Sequence, residues 1–60
     1  MIRCIMKNRT TGKVTYDQMI TDNWWTVYES IGYPRKYNED KTVVIFNDHS
    51  KNRTITLIKH

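Results

Sequence analysis

Apolar and polar residues alternate along the first 20 residues of the chain. The segment IRCIMKN places Ile2, Cys4 and Met6 on one side of an extended chain, and KVTYDQMI alternates in the same way. A period of two indicates β-strands. The intervening RTTGK contains Gly12, a residue suited to a tight turn. The pattern therefore predicts an N-terminal β-hairpin.

The period changes in the segment TDNWWTVYESIG, which predicts a helix over residues 22–31. Thr21 or Asp22 can serve as the N-cap, because both side chains accept hydrogen bonds from free backbone N–H groups. Gly32 suits the left-handed position beyond a helix C-terminus, and Pro34 prevents continuation. We expect the helix to end there and to depend on tertiary packing, because it is short.

The only two tryptophans are adjacent, and on a helix their side chains point in different directions. Trp24, Val27, Tyr28 and Ile31 share one arc of about 100°, which predicts the face that packs on the core. Trp25 lies about 110° from the centre of that arc. It is therefore a boundary residue. It either packs at the edge of the sheet or serves as an exposed aromatic anchor for a partner.

The second half of the chain adds two predicted strands. TVVIF is apolar on both faces, which favours an interior position in a sheet, and RTITLIK alternates. YPRKYNEDK and NDHSKN are polar and predict loops. The order ββαββ predicts the α+β class: one small domain over residues 1–60, with a four-stranded antiparallel sheet and one helix on one face.

One helix covers only one face of that sheet, yet apolar residues occur on both faces. Ile2 and Ile5 point to opposite sides of the first strand, as do Leu57 and Ile58 in the last. Three solutions are open: curling into a small barrel, homodimer formation, or a bound partner.

Composition limits where the protein works. Cys4 is the only cysteine, so no disulfide forms within the chain, and a single thiol suits a reducing compartment. No apolar run approaches the ~20 residues needed to span a membrane, and the first residues have no signal-peptide pattern. These features predict a cytoplasmic protein without a membrane partner. The absence of alanine and the many residues with AT-rich codons favour a phage or mobile-element origin.

Catalytic and metal-binding patterns are weak. Cys4 lies within an apolar strand, where burial opposes activation of a thiol. His49 and His60 are too few, with one cysteine, for a zinc site. There is no phosphate-binding loop and no dinucleotide fingerprint. We therefore expect a protein that is not an enzyme and uses no metal or cofactor.

The charge pattern favours binding of a polyanion. Net charge is +4, and the cations cluster in the first 13 and last ten residues, where there are no acids. Two KNRT segments, 7–10 and 51–54, are interpreted as polar turns. The segment YPRKY interleaves rings with cations, as in surfaces that bind single-stranded nucleic acid.

We therefore predict a basic, non-enzymatic nucleic-acid-binding module. Three rings would stack on bases or position the ligand: Trp25, Tyr33 and Tyr37. Eight cations would contact phosphates: Arg3, Lys7, Arg9, Lys13, Arg35, Lys36, Lys51 and Arg53. The alternative is a small inhibitor or adaptor, encoded by a phage or mobile element, that captures a host protein through Trp25 and the second sheet face. Nucleic-acid binding should weaken steeply with salt, whereas apolar capture should not.

Overall fold

The computed structural model describes residues 1–32 and 35–60, which form one antiparallel sheet and one α-helix. The elements in chain order are β1 (Ile2–Asn8), β2 (Val14–Ile20), α1 (Trp24–Ser30), β3 (Arg35–Tyr37), β4 (Val43–Asp48), a single 3₁₀ turn (His49–Lys51) and β5 (Arg53–Lys59). The strand order across the sheet is β2-β1-β5-β4-β3. The predicted α+β class, with an antiparallel sheet and one helix, is confirmed.

The predicted four-strand ββαββ order is wrong by one strand. β3 lies within the segment predicted as a polar loop, and it pairs with β4 through Arg35↔Phe46, Lys36↔Ile45 and Tyr37↔Val44. Three residues are too few to show an alternating apolar pattern. Pairing with the edge of β4, instead of a local sequence pattern, identifies this segment as a strand. A tertiary contact therefore produces the fifth strand.

The helix is shorter than predicted, and both of its predicted caps are wrong. Asn23 is the N-cap, and its side-chain oxygen accepts hydrogen bonds from the backbone N–H groups of Trp25 at 3.1 Å and Thr26 at 3.2 Å. The C-cap is Ile31, in an extended conformation with φ −68° and ψ 113°. The helix ends by turning directly into extended chain, so Gly32 is not used as a left-handed residue.

The core lies between the helix and one face of the sheet. Its buried residues come from α1, β1, β4 and β5: Ile2, Cys4, Trp24, Tyr28, Val44, Ile55 and Leu57. The indole N–H of Trp24 donates to the carbonyl oxygen of Lys41 at 2.9 Å, which satisfies the ring's polar atom inside the core. The predicted helix orientation and the burial of Cys4 are confirmed, and burial raises the pKa of the Cys4 thiol.

No described residue packs across the other sheet face, and we call it the open face. The strand registers place these residues on it: Arg3, Ile5, Lys7, Val14, Asp17, Met19, Lys36, Val43, Ile45, Thr54, Thr56 and Ile58. In the described residues β2 and β3 are the two edges of the sheet and are not paired with each other. The barrel alternative is therefore wrong, because the sheet stays open.

Candidate nucleic-acid interface

The two KNRT segments lie side by side, although more than 40 residues separate them in the chain. Pairing of β1 with β5 brings them together, with Asn8 opposite Arg53 at the end of the ladder. Beyond that pair, the backbone N–H of Arg9 donates to the carbonyl oxygen of Asn52 at 3.0 Å. The side-chain amide of Asn52 donates to the Thr10 hydroxyl at 2.8 Å. The two turns therefore form one surface.

Local hydrogen bonds fix the first of these turns. The side-chain oxygen of Asn8 accepts from the backbone N–H groups of Thr10 and Thr11, both at 2.9 Å. Gly12 has φ +75°, a conformation that glycine adopts without strain, and its N–H donates to the Asn8 carbonyl at 2.9 Å. The turn thus has a defined shape, and it holds the backbone of Arg9 and Lys13 in place.

Four exposed cations project from this surface, which we call the turn end: Lys7, Arg9, Lys13 and Lys51. The two ion pairs of the described residues involve none of them. Asp48, at the same end, is buried, and it accepts hydrogen bonds from Arg53 at 3.1 Å and from the Ser50 hydroxyl at 2.7 Å. The surface potential of the turn end is therefore set by cations.

His49 adds a polar contact at the turn end. The guanidinium of Arg9 donates to Nδ1 of His49 at 3.0 Å, so the imidazole accepts at that nitrogen. This contact links the side chains of the two turns.

Arg3 and Arg53 have structural partners, so they are less available to a ligand. The Arg3 guanidinium binds both oxygens of Asp17, at 2.9 Å and 2.7 Å, and this pair lowers the pKa of the Asp17 carboxyl. Arg53 is half-buried against Asp48 and lies 3.2 Å from the sulfur of Met6.

A second cluster surrounds Tyr28 near the helix, and we call it the aromatic end. Trp25 and Tyr37 are 49% and 54% exposed, and both contact the buried Tyr28 ring edge-on, at centroid distances of 5.7 Å and 6.2 Å. Tyr28 therefore holds two exposed rings in fixed positions. The other members of the aromatic end are three cations: Arg35, Lys41 and Lys59.

Each of these cations lies over a ring. Lys59 is 5.9 Å from the centre of Trp25, Lys41 is 5.8 Å from Tyr37, and Arg35 is 4.5 Å from Tyr28. Lys41 and Lys59 are not among the site residues that the sequence predicts. The alternation of RTITLIK places Lys59 on the same side as Leu57, and this was the one available signal for it.

The two ends lie at opposite ends of β5. Arg53 begins that strand and Lys59 ends it, a rise of about 20 Å at ~3.3 Å per residue. The predicted rings and phosphate-binding cations are thus not interleaved on one surface. Lys36 lies on neither end but on the open face, and Tyr33 lies outside the described residues.

The positions of the acidic residues add to the difference in charge between the two ends. Glu29 belongs to α1, Asp22 precedes it, and Glu39 and Asp40 lie in the connection between β3 and β4. All four are exposed and lie at or near the aromatic end. The turn end is therefore the more positive end of the molecule.

Comparison with other proteins does not indicate a function. No family model, curated protein or solved structure matches the chain. Within residues 1–32 and 35–60, no group of three or more His, Cys, Asp or Glu side chains could hold a metal ion. In the same part of the chain, no helix has the length and apolar character that a membrane crossing requires. The charges and contacts of the two ends are therefore the features that bear on function.

Proposed function

We propose that the protein is a non-enzymatic module that binds nucleic acid through the phosphate contacts of its turn end. The observation that supports this most directly is the docking of the two KNRT turns, which gathers Lys7, Arg9, Lys13 and Lys51 from distant parts of the chain. Exposed cations of this kind bind phosphates and release counterions from the nucleic acid.

The mode of binding follows from which residues are at the turn end. Its side chains are lysine, arginine, asparagine and threonine, which contact the nucleic-acid backbone. The exposed rings that could stack on bases lie at the other end of the sheet. We therefore expect binding that depends on backbone charge and discriminates weakly between sequences.

The test is a titration of a fluorescent duplex at several salt concentrations, read by anisotropy. With up to four phosphate contacts, the log–log slope of affinity against salt should be about −3 to −4. Lys13→Ala and Lys51→Ala should each reduce the magnitude of the slope by about 1. Lys59→Ala removes the same charge from the aromatic end, so it should leave the slope unchanged.

Equal losses in Lys13→Ala, Lys51→Ala and Lys59→Ala would mean that only net charge matters, and the assignment to the turn end would be wrong. Absence of binding at low salt would reject the function itself.

The second candidate is an inhibitor or adaptor that captures a host protein, of the kind encoded by phages or mobile elements. The half-exposed Trp25 ring favours it, because tryptophan is enriched among the residues that dominate protein interfaces. A pull-down from a bacterial lysate, with nuclease added, separates the two functions. A single protein retained by the wild-type chain and lost with Trp25→Ala would support capture.

A further inference from the structure

The open face exposes large apolar side chains among its polar residues. Three of its side chains are among the most exposed large apolar residues of the protein: Ile45 at 42%, Met19 at 43% and Val14 at 47%. Ile5 and Ile58 lie between them in the strand register. Contiguous apolar patches of this kind mark interaction sites.

Two charged residues of this face, Asp17 and Lys36, lie at its two edges, whereas Lys7 and Arg3, the ion-pair partner of Asp17, lie on β1. The registers align one row across all five strands, in the order Asp17, Ile5, Thr56, Ile45, Lys36. The row thus has a carboxylate at the β2 edge, a lysine at the β3 edge and mostly apolar side chains between them. This arrangement is complementary to a reversed copy of itself.

We propose that two copies of the chain pack open face to open face, about a two-fold axis that runs parallel to β5. This axis exchanges the two edges, so Asp17 of each copy lies opposite Lys36 of the other. It also sets Ile5 opposite Ile45, and Thr56 and Ile58 opposite their own equivalents. Aligned packing of two sheets is a common architecture, and it buries both inner faces.

The charge row selects this axis from the alternatives. An axis in the same plane but perpendicular to the strands would set Asp17 opposite Asp17 and Lys36 opposite Lys36. Like charges in an interface oppose association. The parallel axis forms two attractive pairs instead.

The properties of the face also favour a second copy over nucleic acid. No aromatic residue is among the open-face residues named above, and its central row has isoleucines on both sides of Thr56. Its strands β1 to β5 contain seven, seven, three, six and seven residues, which give a footprint of about 500 Å² per copy at standard strand spacings. Pairing two such faces buries at least about 1,000 Å² in total, which is the lower end for specific interfaces. We therefore expect a reversible dimer.

The orientation of the dimer axis determines where the two turn ends lie. Its consequence for nucleic-acid binding rests on the proposed function. An axis parallel to the strands leaves both turn ends on the same side of the dimer. The two sets of cations could then contact one nucleic acid together. The dimer itself is tested without nucleic acid, so either proposal can fail alone.

The experiment is sedimentation of the full chain over a range of concentrations, with Lys36→Glu, Asp17→Lys and the double variant Asp17→Lys/Lys36→Glu. Each single change makes both cross-interface pairs repulsive, so we expect dimerisation to weaken about tenfold or more. The double variant restores both pairs, with the same net charge as the wild type, and it should dimerise again. Lys59→Glu, the same charge change on the opposite sheet face, should leave the dimer intact.

Circular dichroism verifies that each variant is folded. Because Asp17→Lys also removes the Arg3 pair, Lys36→Glu provides the independent test at an exposed position. A monomeric wild type at high concentration would overturn the proposal. So would a Lys36→Glu variant that dimerises like the wild type, or a folded double variant that stays monomeric.

Discussion

The turn end and the aromatic end use the same residue types in different ways. At the turn end, Asn8 accepts the hydrogen bonds that fix the first turn, Asn52 of the second turn donates to Thr10, and the nearby lysines remain exposed. At the aromatic end, packing around Tyr28 holds the structure, and Lys41 and Lys59 lie over aromatic rings. A count of positive charges would treat all these lysines alike. Their contacts show which of them are available to a ligand.

The largest expected effect belongs to the aromatic end. Trp24→Ala removes a ring that is 5% exposed, together with its hydrogen bond to Lys41, so we expect a loss of about 3–5 kcal/mol and a largely unfolded chain. Trp25→Ala removes a half-exposed ring and should cost only about 1 kcal/mol. Thermal melts of both variants measure the difference.

The same pair of variants tests the helix orientation and the independence of the two ends. If Trp25→Ala unfolds the chain and Trp24→Ala does not, the helix faces the sheet differently from the description above. If Trp25→Ala folds and weakens nucleic-acid binding as much as Lys13→Ala does, the two ends act together.

A smaller effect is expected at the helix N-cap. Asn23→Ala removes the acceptor for the N–H groups of Trp25 and Thr26, which should cost about 1 kcal/mol. Urea denaturation gives the value, and Asn23→Asp, which keeps a capping oxygen, is the matched control. The salt slope of nucleic-acid binding should not change, since the helix belongs to the other end.

The turn end offers its own stability test at Asn52, which has φ 49° and ψ 50°. Asn52→Ala places a less tolerant residue in the left-handed region and removes the bond to Thr10, so we expect a loss of about 1 kcal/mol or more. Asn52→Gly tolerates the backbone conformation and loses only the side-chain bond. Urea midpoints should therefore rank wild type, Asn52→Gly and Asn52→Ala from most to least stable. Equal midpoints for the two variants would mean that backbone strain is unimportant there.

The smallest expected effect concerns Asp17, which forms an ion pair with Arg3 on the open face. Arg3 lowers the pKa of the Asp17 carboxyl in the folded protein. The stabilisation is thus present above the ordinary carboxyl pKa of about 3.9 and is lost as pH falls through the lowered value. Urea midpoints of the wild type and Asp17→Asn should differ at neutral pH and converge in acid. A difference that stays constant with pH would mean that the ion pair is not its source.

The sequence predicts the parts of the fold whose signals are local. Alternation gives β1, β2 and β5, and helical periodicity distinguishes Trp24 from Trp25. β3 escapes prediction because it depends on an edge of β4 that the local sequence does not reveal. The sequence does not distinguish Asn23 from its neighbours Thr21 and Asp22 as the N-cap, because all three residue types can cap a helix.

The sequence predicts many of the site residues, but it does not predict which of them share a surface. Arg9 and Lys51 were both named, yet only the pairing of β1 with β5 shows that they share a surface. Lys41 was missed because its ring partner, Tyr37, lies across a turn. Arg3 was assigned to phosphate, and its bidentate contact with Asp17 depends on a cross-strand neighbour.

The position of β5 has a consequence for how the chain folds. This strand is the last element in chain order, yet it lies in the middle of the sheet, with β1 and β2 on one side and β4 and β3 on the other. Its ladder with β1 joins residues as distant as Ile2 and Lys59, and such non-local pairing slows folding toward the millisecond-to-second range. Until β5 docks, the inner edge of β1 is open to strands from other chains, a state that promotes aggregation. The rate at which residues 53–59 reach β1 therefore sets how long the newly made protein is vulnerable.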